Sequence, residues 1–172
     1  MKLSTFTDYS LRTLMYLAAA PQRRATIAEI ATAFGISRHH LTKVAHGLGR
    51  NGWLANVRGK GGGLALAMPP QHIVIGAVVR LSEGVDLPAA CFAQDGEGCT
   101  IASVCRLRGA LAEAVQAFYA ALDRYTLADL THDPGALSRL LFVERSPPQA
   151  PARASPVTQM ASTAVRSTKL LQ

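Results

Sequence analysis

The sequence predicts a mainly α fold with one small β-hairpin, a winged helix-turn-helix followed by a long dimerisation helix. Three observations predict it. Two short amphipathic segments, Ile27–Phe34 and Arg38–Leu48, are separated by a tight turn at Gly35. Two short apolar runs flank a loop, Arg58–Gly63, of four glycines and two cations. An apolar stripe then steps by three or four residues from Leu107 to Tyr125.

Taken in order, the stretch from Phe6 to Ala20 carries Leu11, Leu14, Met15, Leu17 and Ala18 at helical spacing, and Pro21 stops it. Thr26 and Glu29 form a capping box, in which the threonine oxygen accepts from the third free amide and the glutamate reaches back. Ile27, Ile30, Ala31 and Phe34 make the buried face that follows, and Gly35 ends it. Ser37 is placed to cap the next helix, whose stripe is Leu41, Val44, Ala45 and Leu48. The hairpin strands are Trp53–Val57 and Leu64–Met68. Beyond Pro69 and Pro70 a helix is expected from Ile73 to Glu83, then an aperiodic loop from Gly84 to Gly98. The longest helix is expected to start at Thr100 and reach Tyr125, with short closing helices at Thr126–Leu130 and Pro134–Val143. From Ser146 the chain is rich in Pro, Ala and Ser with few large apolar residues, the composition of a disordered tail.

Charge divides the chain the same way. Residues 1–72 hold nine Lys/Arg against Asp8 and Glu29 alone, whereas 73–145 hold six against nine acids. Residues 146–172 have three cations and no acid. A basic N-terminal module joined to an acidic segment is the footprint of nucleic-acid binding. The organisation expected is therefore a DNA-binding domain over 1–72, a cysteine-bearing loop and dimerisation helices over 73–145, and a tail over 146–172.

In a helix-turn-helix the second helix presents its N-terminal residues to base edges in the major groove. Here those are Ser37, Arg38, His39, His40, Thr42 and Lys43. Arg38 has the donors to address guanine, and the hydroxyls and histidines suit bases or phosphates. Arg58 and Lys60 flank wing glycines, which allow close approach to a phosphate backbone. These residues point to double-stranded DNA as the partner.

All three cysteines, Cys91, Cys99 and Cys105, fall in one window spaced C-x7-C-x5-C. An odd number cannot all pair within one chain, and three soft thiolates together suit an iron–sulfur cluster or a thiophilic metal. Cys105 is expected in the first turn of the long helix, where the positive end of the helix dipole favours thiolate. By itself the spacing means only a metal or redox site. Paired catalytic carboxylates, a Ser/His/Asp arrangement and a P-loop are all missing, so an enzyme is not expected. The N-terminus has no secretory pattern and no apolar run is long enough to span a membrane, so a cytoplasmic protein with reduced thiols is expected.

Four motifs in order add a resemblance: Phe6-Thr7-Asp8-Tyr9-Ser10-Leu11-Arg12, Ile36-Ser37-Arg38-His39-His40-Leu41-Thr42-Lys43, Val57-Arg58-Gly59-Lys60-Gly61-Gly62-Gly63 and Tyr125-Thr126-Leu127-Ala128-Asp129-Leu130. Together with the cysteines they resemble the IscR/NsrR family of winged-helix regulators, from Met1 to about Glu144, and within it the nitric-oxide-sensing repressors. The resemblance implies a homodimer that binds an inverted-repeat operator while an iron–sulfur cluster, [2Fe-2S] or [4Fe-4S], is intact. Nitric oxide is the implied signal, attacking the cluster and releasing the DNA. Cys91, Cys99 and Cys105 match the cluster ligands. Asp8 occupies the place of a fourth ligand that some members supply from the partner chain. Other members use a histidine three residues after the third cysteine, where this chain has Arg108, a departure from the family's cluster-assembly regulators. Two further readings of the residues are a cluster-free, thiol-based redox regulator and a small cluster carrier with an incidental basic half.

Overall fold

The computed structural model describes residues 2–84, 101 and 104–142. Its helices are α1 (Thr5–Ala19), α2 (Ile27–Phe34), α3 (Arg38–Arg50), α4 (Ile75–Glu83), α5 (Arg106–Leu122), α6 (Leu127–Leu130) and α7 (Pro134–Leu141). One antiparallel hairpin, β1 (Leu54–Val57) with β2 (Gly63–Leu66), lies between α3 and α4. The mainly α winged helix-turn-helix read from the sequence is the fold observed.

Each start and stop has a local cause. Ser4 caps α1 through its hydroxyl oxygen, which accepts from the Thr7 amide at 3.2 Å. The Thr26/Glu29 capping box is complete, with the Thr26 amide donating to Glu29 at 2.6 Å. Its helix ends at Gly35, whose φ of +66° lies in the left-handed region that glycine enters without the Cβ penalty. That turn sets α3 against α2 as the recognition helix. A second capping box, Thr126 with Asp129, starts α6.

The core is one cluster built around α1. Leu14, Leu17, Ile30, Leu41, Val44, Leu48, Leu54 and Leu64 meet Ile73, Val78, Val79 and Leu127 within it. The C-terminal helices thus pack onto the same core as the winged helix. Burying a side chain of this size fully is worth about 1.5–3 kcal/mol. The wing is also more than a hairpin: Ala25 bridges Leu64, exchanging amide–carbonyl bonds of 3.0 and 2.7 Å. Residue 25 therefore extends the small sheet from the α1–α2 connection.

Several expected boundaries move. The long helix begins at Arg106, not Thr100. Cys105 is its N-cap, with extended backbone at φ −78°, ψ 108°, instead of lying in its first turn. Ahead of it, Val104 donates its amide to the Ile101 carbonyl at 3.1 Å, closing a turn. Ile101 and Val104 continue the i, i+3 spacing of the stripe, but β-branched residues lose side-chain freedom in a helix. At its far end the helix stops at Leu122. Ile73 and Val74 are extended, tied to the start of α6 by Leu127 N–H to Ile73 O at 2.8 Å, so α4 begins at Ile75. The strand β2 closes at Leu66, short of Met68. Ser37 is the N-cap of α3, yet its hydroxyl makes no capping bond. Cys91, Cys99, the loop expected from Gly84 to Gly98 (apart from Gly84 itself) and the tail expected from 146 lie outside the described residues.

Candidate nucleic-acid interface and cysteine site

The recognition helix buries Leu41, Val44 and Leu48 and turns the rest of its surface outward. Ser37, Arg38, His39, His40, Thr42 and Lys43 are all exposed on it. The missing cap bond leaves the Ser37 hydroxyl without an intrahelical role. Thr42 spends its proton on the Arg38 carbonyl at 2.9 Å, so its oxygen remains as an acceptor. The His40 ring stands 6.2 Å from Tyr9 of α1 and 6.1 Å from His39, so His40 lies between α1 and His39. Phe6 braces α3 from below. A Cβ on Gly47 would come within 2.9 Å of the Phe6 ring, so helix and ring are in close contact.

Sequence reasoning missed two exposed residues of α3, His46 and Arg50. With Thr42, Lys43 and Gly47 they line a shallow concavity. Their spacing from Lys43, i, i+3 and i+7, is the signal that places them on one helical face.

Arg58 and Lys60 sit exposed at the wing tip. Gly62 there is required by space: a Cβ would stand 2.4 Å from the Val57 carbonyl oxygen. The bond that closes the tip is Gly62 N–H to Gly59 O at 2.9 Å. Among the described residues, Arg24, Arg38, Lys43, Arg50, Arg58 and Lys60 make no salt bridge. Cations without carboxylates on one module are free to meet phosphate.

The expected cluster ligands separate. Cys105, half-buried with a free thiol at the N-terminus of α5, is described; its two partners are not. Asp8 lies in the first turn of α1, where its carboxylate accepts from Arg12 Nε at 2.9 Å. No group of three or more His, Cys, Asp or Glu side chains converges among the described residues. Cys105 fits a cluster ligand in one respect: it is an N-cap whose side chain makes no capping bond, so among the described residues its sulfur is not used to start the helix.

The helix that carries Cys105 is tied into the core. Val115 is buried, and Phe118, Tyr119 and Leu122 pack against the core cluster. Arg80 of α4 grips Asp123 with two hydrogen bonds, one of 2.7 Å, and lies 4.7 Å over the Tyr119 ring. Each of that pair is stabilised in its charged form, Arg80 raised and Asp123 lowered, first by their mutual hydrogen bond. At the other end of α4, Glu83 accepts from the Ser4 amide at 2.8 Å. Burial opposes ionisation of Glu83, but hydrogen bonds from Thr7 and Ser4 carry its carboxyl below the usual range. The long stripe therefore splits: Val115, Phe118 and Leu122 pack on their own chain, while Tyr125 at its end, Leu107 at its start and, ahead of the helix, Val104 stay exposed at 47%, 63% and 79%.

The Rrf2 family model, described as iron-dependent transcriptional regulators, matches residues 3–133. The chain belongs to the Rrf2 family. It is 48% identical over 146 residues to the HTH-type transcriptional regulator NsrR of Geobacillus kaustophilus (strain HTA426), covering 84% of this chain and 99% of that relative. Its fold is similar to that of T. potens IscR, with TM-score 0.63, 25% identity and 77% and 88% of the two chains covered. It is also similar to CymR (YrzC), the global cysteine regulator of B. subtilis, with TM-score 0.59, 28% identity and 77% and 97% covered. The resemblance read from the four motifs is borne out, and the chain is a transcription regulator of this family, not an enzyme. No helix among the described residues is long and apolar enough to cross a membrane.

Proposed function

We propose that this Rrf2 protein is a cytoplasmic, nitric-oxide-responsive repressor that binds operator DNA as an iron–sulfur-loaded homodimer and releases it when the cluster is nitrosylated. The observation that carries the reading is 48% identity to a relative named NsrR across 99% of that relative, in a chain whose only thiols are Cys91, Cys99 and Cys105. Those three residues, with Asp8 of the partner subunit, would hold the group. An iron–sulfur cluster, [2Fe-2S] or [4Fe-4S], supplies a centre that reacts with nitric oxide.

The rest is the work of the chain. Arg38 and its neighbours enter the major groove, and Arg58 and Lys60 hold the phosphate backbone. Val104 and Leu107, exposed ahead of and within the start of α5, join two copies, since an apolar row of that kind is stabilised by burial on its own counterpart. Cys105 anchors the start of α5. From there contacts run without a gap: α5 to α4 through Asp123 and Arg80, α4 to α1 through Glu83 and Ser4, and α1 to α3 through Phe6 and Gly47. A shift at Cys105 thereby reaches the recognition helices, whose spacing must match half-sites about 34–36 Å apart.

The test is anaerobic purification with absorbance and Mössbauer spectra, beside operator titration across salt for wild type and the Arg58→Ala/Lys60→Ala variant. A coloured dimer whose salt dependence falls by about 0.9 per lost phosphate contact supports the reading. A colourless protein that still binds operator tightly contradicts it.

A further inference from the structure

Two adjacent arginines of the α1–α2 connection have different surroundings. Arg23 is committed: it pairs with Glu29 and lies 5.0 Å over the Phe142 ring. Arg24 has no carboxylate partner among the described residues. Its Nη1 donates instead to the Gly61 carbonyl of the wing tip at 3.1 Å, across 37 residues of sequence. The next residue, Ala25, exchanges backbone bonds with Leu64 of β2, so the Arg24 backbone is fixed beside the wing. One bond to Gly61 uses one of five guanidinium N–H donors and none of the charge. Its acceptor, Gly61, directly follows Lys60 in the chain, on an exposed tip that also carries Arg58.

We propose that Arg24 is a third cation of the wing, which contacts the DNA phosphate backbone while its bond to Gly61 holds the tip in place. The ligand class is a phosphodiester oxygen, for which a guanidinium fork offers paired donors. The inference deepens the wing reading above and rests on it. It assigns to Arg24 a contact that sequence cannot suggest, because the residue lies outside both the recognition helix and the wing loop.

The experiment titrates operator DNA over 50–200 mM salt with the full chain. Its variants are Arg24→Gln, Arg24→Lys, Arg58→Ala/Lys60→Ala and the triple Arg24→Gln/Arg58→Ala/Lys60→Ala. One lost contact per protomer is two per dimer, so Arg24→Gln is expected to lower the salt slope by about 1.8. Over that salt range the variant then loses about tenfold less affinity than wild type. Arg24→Lys, which keeps the charge, is expected to retain most of the slope. The triple variant is expected to lose a further slope of about 1.8 beyond the double. If Arg24→Gln lowers the slope alone but adds nothing in the double background, Arg24 is only a strut for the wing and the proposal is overturned. An unchanged slope for Arg24→Gln, with a folded circular dichroism spectrum, overturns it as well. An unchanged slope for Arg58→Ala/Lys60→Ala is a separate result, which removes the wing reading itself.

Discussion

Replacing Gly62 by Ala isolates the wing from the rest of the molecule. The added Cβ would lie 2.4 Å from the Val57 carbonyl oxygen and 2.8 Å from that of Gly59, both backbone atoms that cannot swing aside. Relieving such a clash by overpacking costs about 1–3 kcal/mol. Opening the tip instead forfeits two exposed bonds, Gly62 N–H to Gly59 O and Arg24 Nη1 to Gly61 O, worth about 0.5–1.5 kcal/mol each. Opening leaves the core packing untouched, so the tip should rearrange while the core around Leu14, Leu48 and Val78 stays intact. Urea unfolding should therefore report a loss of no more than about 3 kcal/mol. Operator binding should respond far more. Displacing Arg58 and Lys60 in both protomers removes up to four phosphate contacts, lowering the salt slope by up to about 3.6. A folded variant with the wild-type slope would refute the idea that tip geometry delivers these cations to DNA. A stability loss well above that bound would refute the route by which the clash is relieved.

Three further outcomes are expected. Leu107→Asp, at a side chain 63% exposed in the single chain, should give monomers in sedimentation and weak operator binding, because an unpaired charge buried in an interface costs about 3–5 kcal/mol; a variant that stays dimeric places the seam elsewhere. Phe118 is a poorer probe of the same seam, since it packs on its own chain's core. Arg38→Ala should reduce discrimination between operator and random DNA by about 1–3 kcal/mol if it reads a base; equal losses on both DNAs would make it a backbone contact. Glu29 has its carboxyl held below the ordinary range, first by the hydrogen bond from the Thr26 amide. A depressed folded value means its stabilisation is present above the unfolded value of about 4.3 and is lost as pH falls through the folded one. Glu29→Gln should flatten that acid limb in pH-dependent unfolding, and an unchanged limb would mean the capping box is not the titrating element.

The parts of the fold that local chemistry determines were readable in the sequence. Thr26 with Glu29, Gly35, and the glycines and cations between Val57 and Leu64 each act within a few residues, so their pattern predicts the helix-turn-helix and the wing. What depends on distant partners was not. Ala25 joins the sheet only through Leu64, and Arg24 meets Gly61 only after the chain has closed. The start of α5 was misplaced because Ile101 and Val104 carry the helical apolar spacing in a segment that forms a turn. Likewise the stripe from Leu107 to Tyr125 reads as continuous, yet its middle, around Phe118 and Leu122, packs on its own chain beside the Arg80–Tyr119 contact, and Leu107 and Tyr125 at the two ends stay exposed. In the candidate site, the exposure of the α3 and wing residues followed from amphipathic patterning. His46 and Arg50 lie toward the C-terminal end of α3, away from the N-terminal residues that a recognition helix presents to bases, so the helix-turn-helix pattern does not single them out.

The most direct test of the account is operator binding by anaerobically purified protein before and after nitric oxide, beside Cys91→Ser, Cys99→Ser and Cys105→Ser. Each serine replaces a soft thiolate with a poor ligand for iron. The untreated protein is expected to bind tightly, with at least about a hundredfold weaker binding after nitric oxide and in all three variants. That corresponds to roughly 3 kcal/mol between the two states. Variants that bind as tightly as the untreated protein, or an affinity that nitric oxide leaves unchanged, would contradict it.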